Sequence, residues 1–171
     1  MTSQVHSRTL KALSLILSYP TEELQQAMPE IAGVLIAEPG LTAAARRELS
    51  VLLEELELLD IYELQERYVM LFDRSRTLSL NLFEHVHGES RDRGGAMVSL
   101  IETYREGGFE PATSELPDHL PVLLEFLSAR PFGEAHRPVL ITLDPPATGF
   151  QLRQCFGFKA RGQRDLQTPA E

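Results

Sequence analysis

The chain has no tryptophan, a single cysteine and no long apolar run. Each scarcity excludes something. One thiol, Cys155, cannot make an intramolecular disulfide, so the fold must rest on its core, and a reducing cytoplasm is the expected setting. The longest apolar stretch near the N-terminus, Ala12 to Leu17, is short and interrupted by Ser14, and no small-residue cleavage site follows before Pro20. That argues against a secretory leader. Nothing approaches the roughly 20 apolar residues needed to cross a bilayer, so no integral membrane segment is expected. No GxSxG elbow, Walker loop or GxGxxG occurs, which removes the commonest hydrolase and nucleotide-binding signatures.

Basic side chains are also few. Lys and Arg number 16 against 25 Asp and Glu, a net charge of −9. The imbalance is not uniform: residues 1–136 hold 11 Lys/Arg against 22 Asp/Glu, net −11, and residues 137–171 hold 5 against 3, net +2. An acidic body argues against nucleic acid as a partner, because phosphate contacts need a basic face. It suits a basic peptide, although acidity also serves solubility alone.

What is present is helical. At 171 residues with 43% hydrophobic and 24% charged content, the chain is an ordinary globular protein of one domain. Apolar residues recur at the helical period through the first 130 residues. Leu10, Leu13, Ile16 and Leu17 form the first stripe, ended by Tyr19-Pro20. Thr21 before Glu22-Glu23 has the chemistry of an N-cap, and Leu24, Ala27, Met28, Ile31 and Leu35 continue across a restart at Pro29. Leu49, Leu52, Leu53, Leu56 and Leu59 predict one inward face. Asp60 and Glu63 have capping-box spacing and open a helix carrying Leu64, Tyr68, Leu71 and Phe72. Ser90 is the expected cap of the next helix, with Met97, Leu100, Ile101 and Tyr104 inward and Gly107-Gly108 ending it. Asp118 can cap the last, with Leu120, Leu123, Leu124 and Leu127. The reading is all-α: a single-domain helical bundle over residues 1–136, followed by an irregular tail over 137–171 in which Val139 to Leu143 is the one strand-like stretch.

One segment is odd for a plain bundle. Tyr68 to Ile101, "YVMLFDRSRTLSLNLFEHVHGESRDRGGAMVSLI", sets many charged and imidazole side chains between two apolar helices. Dense polar chemistry in a connection held by a rigid scaffold is where function often sits. A metal at His85-x-His87 is disfavoured, because positions i and i+2 of a helix diverge by roughly 200°. A metal-dependent hydrolase using His85, His87 and His119 stays as the rival from another class. A second block, Glu115 to Leu127, "ELPDHLPVLLEFL", joins a proline-bracketed turn to an apolar helix.

These two blocks resemble the NarJ family, the molybdenum-cofactor assembly chaperones of respiratory nitrate reductase, also called the delta subunit. "LFDRSRTLSLNLFEHVHGESRDRG" is similar to the family's hallmark stretch, "ELPDHLPVLLEFL" to its second, and the opening "LKALSLILSYP" to its first helix. The resemblance spans roughly residues 8–135. It implies an all-helical redox-enzyme maturation fold, shared with the trimethylamine-oxide and dimethyl-sulfoxide reductase chaperones. It also implies a non-enzymatic chaperone with no cofactor of its own. The implied partner is the apo catalytic (alpha) subunit and its N-terminal peptide, held while molybdenum cofactor and iron–sulfur centres are inserted before membrane docking. Molybdenum-cofactor biosynthesis proteins are further implied partners, and a peptide-binding adaptor or a truncated inactive homologue, without maturation activity, is the alternative. Family members continue with further helices where this chain changes character, so uncovered apolar faces would favour a homodimer.

A basic, apolar client peptide needs an apolar groove with an acidic rim. Leu71, Phe72, Leu80, Leu82 and Phe83 are the candidates for the groove, with Asp73, Glu84, Glu89, Asp92 and Asp118 for the rim and His85, His87 and His119 beside them. Other readings stand next to these: Phe72 and Phe83 as ordinary core, Asp118 as a helix cap, and Arg91 and Arg93 paired internally with Asp73 or Glu89. Protonation of the three histidines would weaken attraction for a basic peptide as pH falls through about 6.5.

Overall fold

The computed structural model describes residues 2–87 and 91–130, with side chains from Ser7 onward. Eight α-helices follow one another among the described residues: α1 (Thr2–Ile16), α2 (Glu22–Gln26), α3 (Met28–Ile36), α4 (Ala43–Leu58), α5 (Ile61–Tyr68), α6 (Leu82–His87), α7 (Asp92–Glu106) and α8 (Leu120–Ser128). The local chemistry accounts for their ends. Thr21 accepts from the Leu24 amide (3.2 Å) and opens α2, and Pro29 falls in the first turn of α3, where its missing N–H costs nothing. Thr42 caps α4 through the Ala45 amide (3.2 Å), and Asp60 accepts from the amides of Tyr62 and Glu63 at 2.9 and 3.4 Å. At the far end of α7, Gly108 has φ +68°, the Phe109 amide reaches back to Tyr104 (2.9 Å), and the Gly108 amide reaches Arg105 (2.9 Å). That is the Schellman closure, and the Phe109 ring seals it against Tyr104 with centroids 5.5 Å apart.

Two apolar clusters organise the chain. Ala12, Met28, Ile31, Leu35 and Leu53 form the first, with Leu49 and Leu56 packed against it. Phe83, Leu100, Tyr104, Val122, Leu123 and Phe126 form the second. Helices α1 and α8 lie against each other and join them. The buried Ser14 hydroxyl donates to the Pro121 carbonyl (2.8 Å), and Lys11 pairs with Glu125 further along.

Several expectations need correction. Leu52 is exposed, so α4 buries the narrower stripe Leu49, Leu53 and Leu56. Regular helix stops at Tyr68: Val69–Asp73 widens into a π-helical turn closed by Arg74 N–H to Val69 O (3.0 Å). A wider turn advances the inward position from 71 to 72, which leaves Phe72 half-buried and turns Leu71 outward. Asp118 does not cap α8, whose N-cap residue is His119. Glu63 pairs with Arg67 (2.7 Å), and Arg93 lies 3.6 Å from Glu84, not beside Asp73. Ser90, Glu89 and the tail 137–171 with its strand-like Val139 to Leu143 lie outside the described residues.

Candidate partner-binding site

The two blocks singled out in the sequence fold directly onto one another. Leu82 N–H donates to the Asp118 carbonyl (3.1 Å) and Leu120 N–H to the Leu80 carbonyl (2.8 Å), making a short antiparallel bridge between Asn81 and His119. Asp118 itself is 0% exposed, and its Oδ2 accepts from the Phe83 amide at 2.8 Å. It therefore caps α6 from a distant part of the chain, meeting a donor the helix cannot satisfy internally. Tyr104 holds the same turn from α7, its hydroxyl donating to the Pro117 carbonyl (2.7 Å). Pro117 and Pro121 bracket the turn so that it offers its carbonyls and the Asp118 side chain to its neighbours.

Electrostatics follow from that burial. Desolvation pushes the Asp118 carboxyl upward; the Phe83 amide and the Arg93 guanidinium oppose it, and Glu84 adds to it. Burial, then the nearby Asp118, raises the Tyr104 phenol. His119, half-buried, is pushed downward by desolvation, with Glu115, Asp118 and Asp73 pulling the other way. Tyr68 is raised to about 12, mainly by burial and then by Asp73 and Glu115. Asp73 and Glu115 thus act together on Tyr68 and His119, placing negative charge along one edge of the junction.

The structure sorts the candidate residues into three groups. Leu80, Phe83 and Asp118 are buried and shape the junction from inside. Phe72, Leu82, Glu84, His87 and His119 are half-buried. Leu71, at 48% exposure, and Asp73, His85 and Asp92 face outward. The histidine pair is engaged locally: His85 Nε2 lies 2.7 Å from the Ser79 carbonyl, which places the proton on that nitrogen, and the His87 ring packs edge-on to Phe83 at 5.3 Å. Four buried polar atoms at or near the junction have no hydrogen-bond partner among the described residues: Asn81 Oδ1, His87 Nε2, Asp118 Oδ1 and His119 Nδ1. Among the described residues, no group of three or more His, Cys, Asp or Glu is placed to hold a metal ion.

Sequence reasoning missed the surface around Tyr68 and the π-helical turn. The "LILSYP" segment meets the first hallmark through Tyr68, whose hydroxyl donates to Leu17 O (3.2 Å) and whose ring stands edge-on to Tyr19 (5.4 Å) and Phe72 (5.0 Å). Gln65 donates to Pro20 O (3.0 Å). Next to them a surface depression of about 240 Å³ is lined by Tyr19, Gln65, Glu66, Val69, Met70 and Arg74. Tyr19, Met70, Leu71 and Leu78 are all large, apolar and exposed. Tyr19 reads in the sequence as a helix stop, and Met70 as one more helical residue. Only the π-helical turn and the packing of Tyr68 reveal them as surface.

Comparison with known proteins places the chain in a family. The family model for the nitrate reductase delta subunit matches residues 38–143, a little past the boundary drawn at residue 136. The nitrate reductase molybdenum cofactor assembly chaperone NarJ of Escherichia coli (strain K12) is 44% identical over 126 residues, 74% of this chain and 53% of that one. From the same strain, the probable assembly chaperone NarW is 40% identical over 132 residues, 77% of this chain and 54% of its own. The probable NarJ of Bacillus subtilis (strain 168) is 37% identical over 121 residues, 71% and 65% respectively. The chain spans about half the length of the E. coli relatives it matches. A crystal structure from Archaeoglobus fulgidus, described as a redox enzyme maturation protein, superposes with a TM-score of 0.54 at 28% identity, covering 82% of this chain and 84% of that one. With more than half its length matched by the family model and these identities to curated members, the chain belongs to the nitrate reductase delta-subunit family.

Proposed function

We propose that this chain is a molybdenum-cofactor assembly chaperone for nitrate reductase, acting by binding alone, without catalysis and without a cofactor of its own. Its client is the apo catalytic subunit, held through its N-terminal segment while molybdenum cofactor and iron–sulfur centres are inserted. The observation that carries the reading is the junction itself. Two blocks far apart in sequence are clasped through Asp118 and Phe83, and leave an apolar surface with acids at its edge. Leu71 and the adjoining Met70, which shares a surface depression with Tyr19, supply apolar anchors, and Asp73 and Glu115 supply charge for basic side chains, setting orientation and encounter rate more than affinity. Glu84, His85, Asp92 and His119 extend the docking set. Leu80, Phe83 and Asp118 position it from the interior.

The test is calorimetric titration of the full chain with a peptide of the nitrate reductase catalytic subunit's N-terminal segment. Leu71→Ser and Asp73→Asn should each weaken binding by about five- to tenfold while leaving helicity intact. Co-purification of the apo catalytic subunit from cells starved of molybdenum cofactor is the matching result in cells. Affinity unchanged in both variants would overturn the placement of the site, and turnover of a substrate by the chain alone would overturn the function.

A further inference from the structure

The outer face of α4 takes no part in the junction. From Glu48 to Glu66 the sequence has seven carboxylates and no basic residue. Within that stretch α4 turns Leu49, Leu53 and Leu56 inward. At roughly 100° per residue, Ala44, Val51 and Leu58 fall on the opposite side, one every seventh residue. Val51 is 58% exposed and Leu58 71%, and Tyr62, at the start of α5, is 76% exposed. A lone exposed leucine is ordinary, but Val51 and Leu58 lie one heptad apart on the same face of one helix, with Ala44 a further heptad back, and make a short apolar seam. Glu48 and Glu55 flank the seam on one side and Glu54 on the other; Arg47 sits at its N-terminal end. Arg67 pairs with Glu55 (3.2 Å) and Glu63 (2.7 Å), so part of the acidity is met locally, and Glu48, Glu54 and Glu57 add to it.

We infer that this face is a docking surface for a basic amphipathic helix of a partner protein, separate from the junction and independent of the chaperone reading. Charge selects the occupant. Anionic lipid and nucleic acid are repelled by the carboxylates, and a second copy of the chain would set glutamate rows against each other. A helix with apolar residues at heptad spacing and Lys or Arg beside them meets both features: the seam takes its side chains, and the glutamates pair with its flanks.

The probe is a synthetic amphipathic helix of about 20 residues with leucines at heptad spacing and lysine flanks, titrated against the full chain and compared with the same helix carrying glutamate flanks. The lysine helix should bind, weaken about tenfold or more in Val51→Ser and Leu58→Ser, and keep its affinity for this face in Leu71→Ser. Because all three positions are exposed, circular dichroism and melting temperature should stay at their parental values, confirming that the variants fold. Equal binding of the glutamate helix would overturn the inference, as would indifference to both seam variants. Two further outcomes would also overturn it: a dimer in sedimentation that Leu58→Ser dissociates, which would make the seam a self-interface, or binding to anionic vesicles lost in the same variant.

Discussion

Around Met28 and Ile31 the interior is hydrocarbon, whereas around Phe83 and Tyr104 it also holds a carboxylate, a phenol and half-buried imidazoles. The first cluster joins helices that succeed one another in the chain, α1 to α4. The second is closed by contacts between blocks more than 30 residues apart, chief among them Phe83 N–H to Asp118. Apolar packing tolerates small rearrangements, because dispersion and the hydrophobic effect have no preferred direction. A hydrogen bond to a buried carboxylate has one geometry. The lesson is that the first cluster rests on interchangeable apolar contacts, and the second adds a buried directional one where the candidate binding surface must keep its shape.

The largest expected effect tests that division directly. Phe83→Ala should cost about 3–5 kcal/mol and Met28→Ala about 2–5 kcal/mol in urea denaturation. Only Phe83→Ala should reduce client-peptide affinity at temperatures where the protein remains folded. Equal loss of affinity in both would mean that the two clusters do not differ in role.

Asp118 gives the next contrast. Asp118→Ala strands the Phe83 amide and should cost about 1–3 kcal/mol, while Asp118→Asn keeps an acceptor, sheds the buried charge and should stay near parental stability at pH 8. The matching change at the solvated cap of α2, Thr21→Ala, should cost about 1 kcal/mol. Should Asp118→Asn prove as damaging as Asp118→Ala, the charge and not the acceptor is what α6 needs.

A smaller, pH-dependent effect belongs to the groups around the second cluster. His119 has its pKa lowered in the folded state, so the stability it contributes is complete above the unfolded value of about 6.5 and is lost as pH falls through the folded value. Asp118 has the opposite sign. Its pKa is raised, so its contribution is complete below the unfolded value of about 3.9 and is lost as pH rises through the folded value. Urea midpoints measured from pH 8 down to about 4 should therefore fall less steeply on acidification in His119→Gln, and more steeply in Asp118→Asn. Slopes identical to the parent's in both would remove these groups as the source of the pH dependence.

Much of the molecule is legible in the order of its residues. The caps at Thr21 and Asp60, the restart at Pro29 and the stop at Gly107-Gly108 depend on neighbours within a few residues, and all were read from those neighbours. Leu52 and Leu71 were misplaced for related reasons. An apolar residue at the edge of a stripe turns inward only if a partner helix covers it, and a π-helical turn shifts the phase that a regular period assumes. Asp118 is a capping residue, as its position suggests, but of α6 and not of the adjoining α8. Its short side chain reads naturally against the amides just downstream, and nothing in the local sequence points to an amide 35 residues upstream.

The sequence by itself determined an acidic, helical body, several of its helix ends and its family, because propensity, capping and hallmark spacing are local properties of the order of residues. Which side chains meet at the junction, which leucines face water, and which helix Asp118 completes were decided only by the tertiary structure. Those outcomes depend on what lies across from each residue after the chain has closed on itself, and two residues far apart in sequence carry no mark of that meeting.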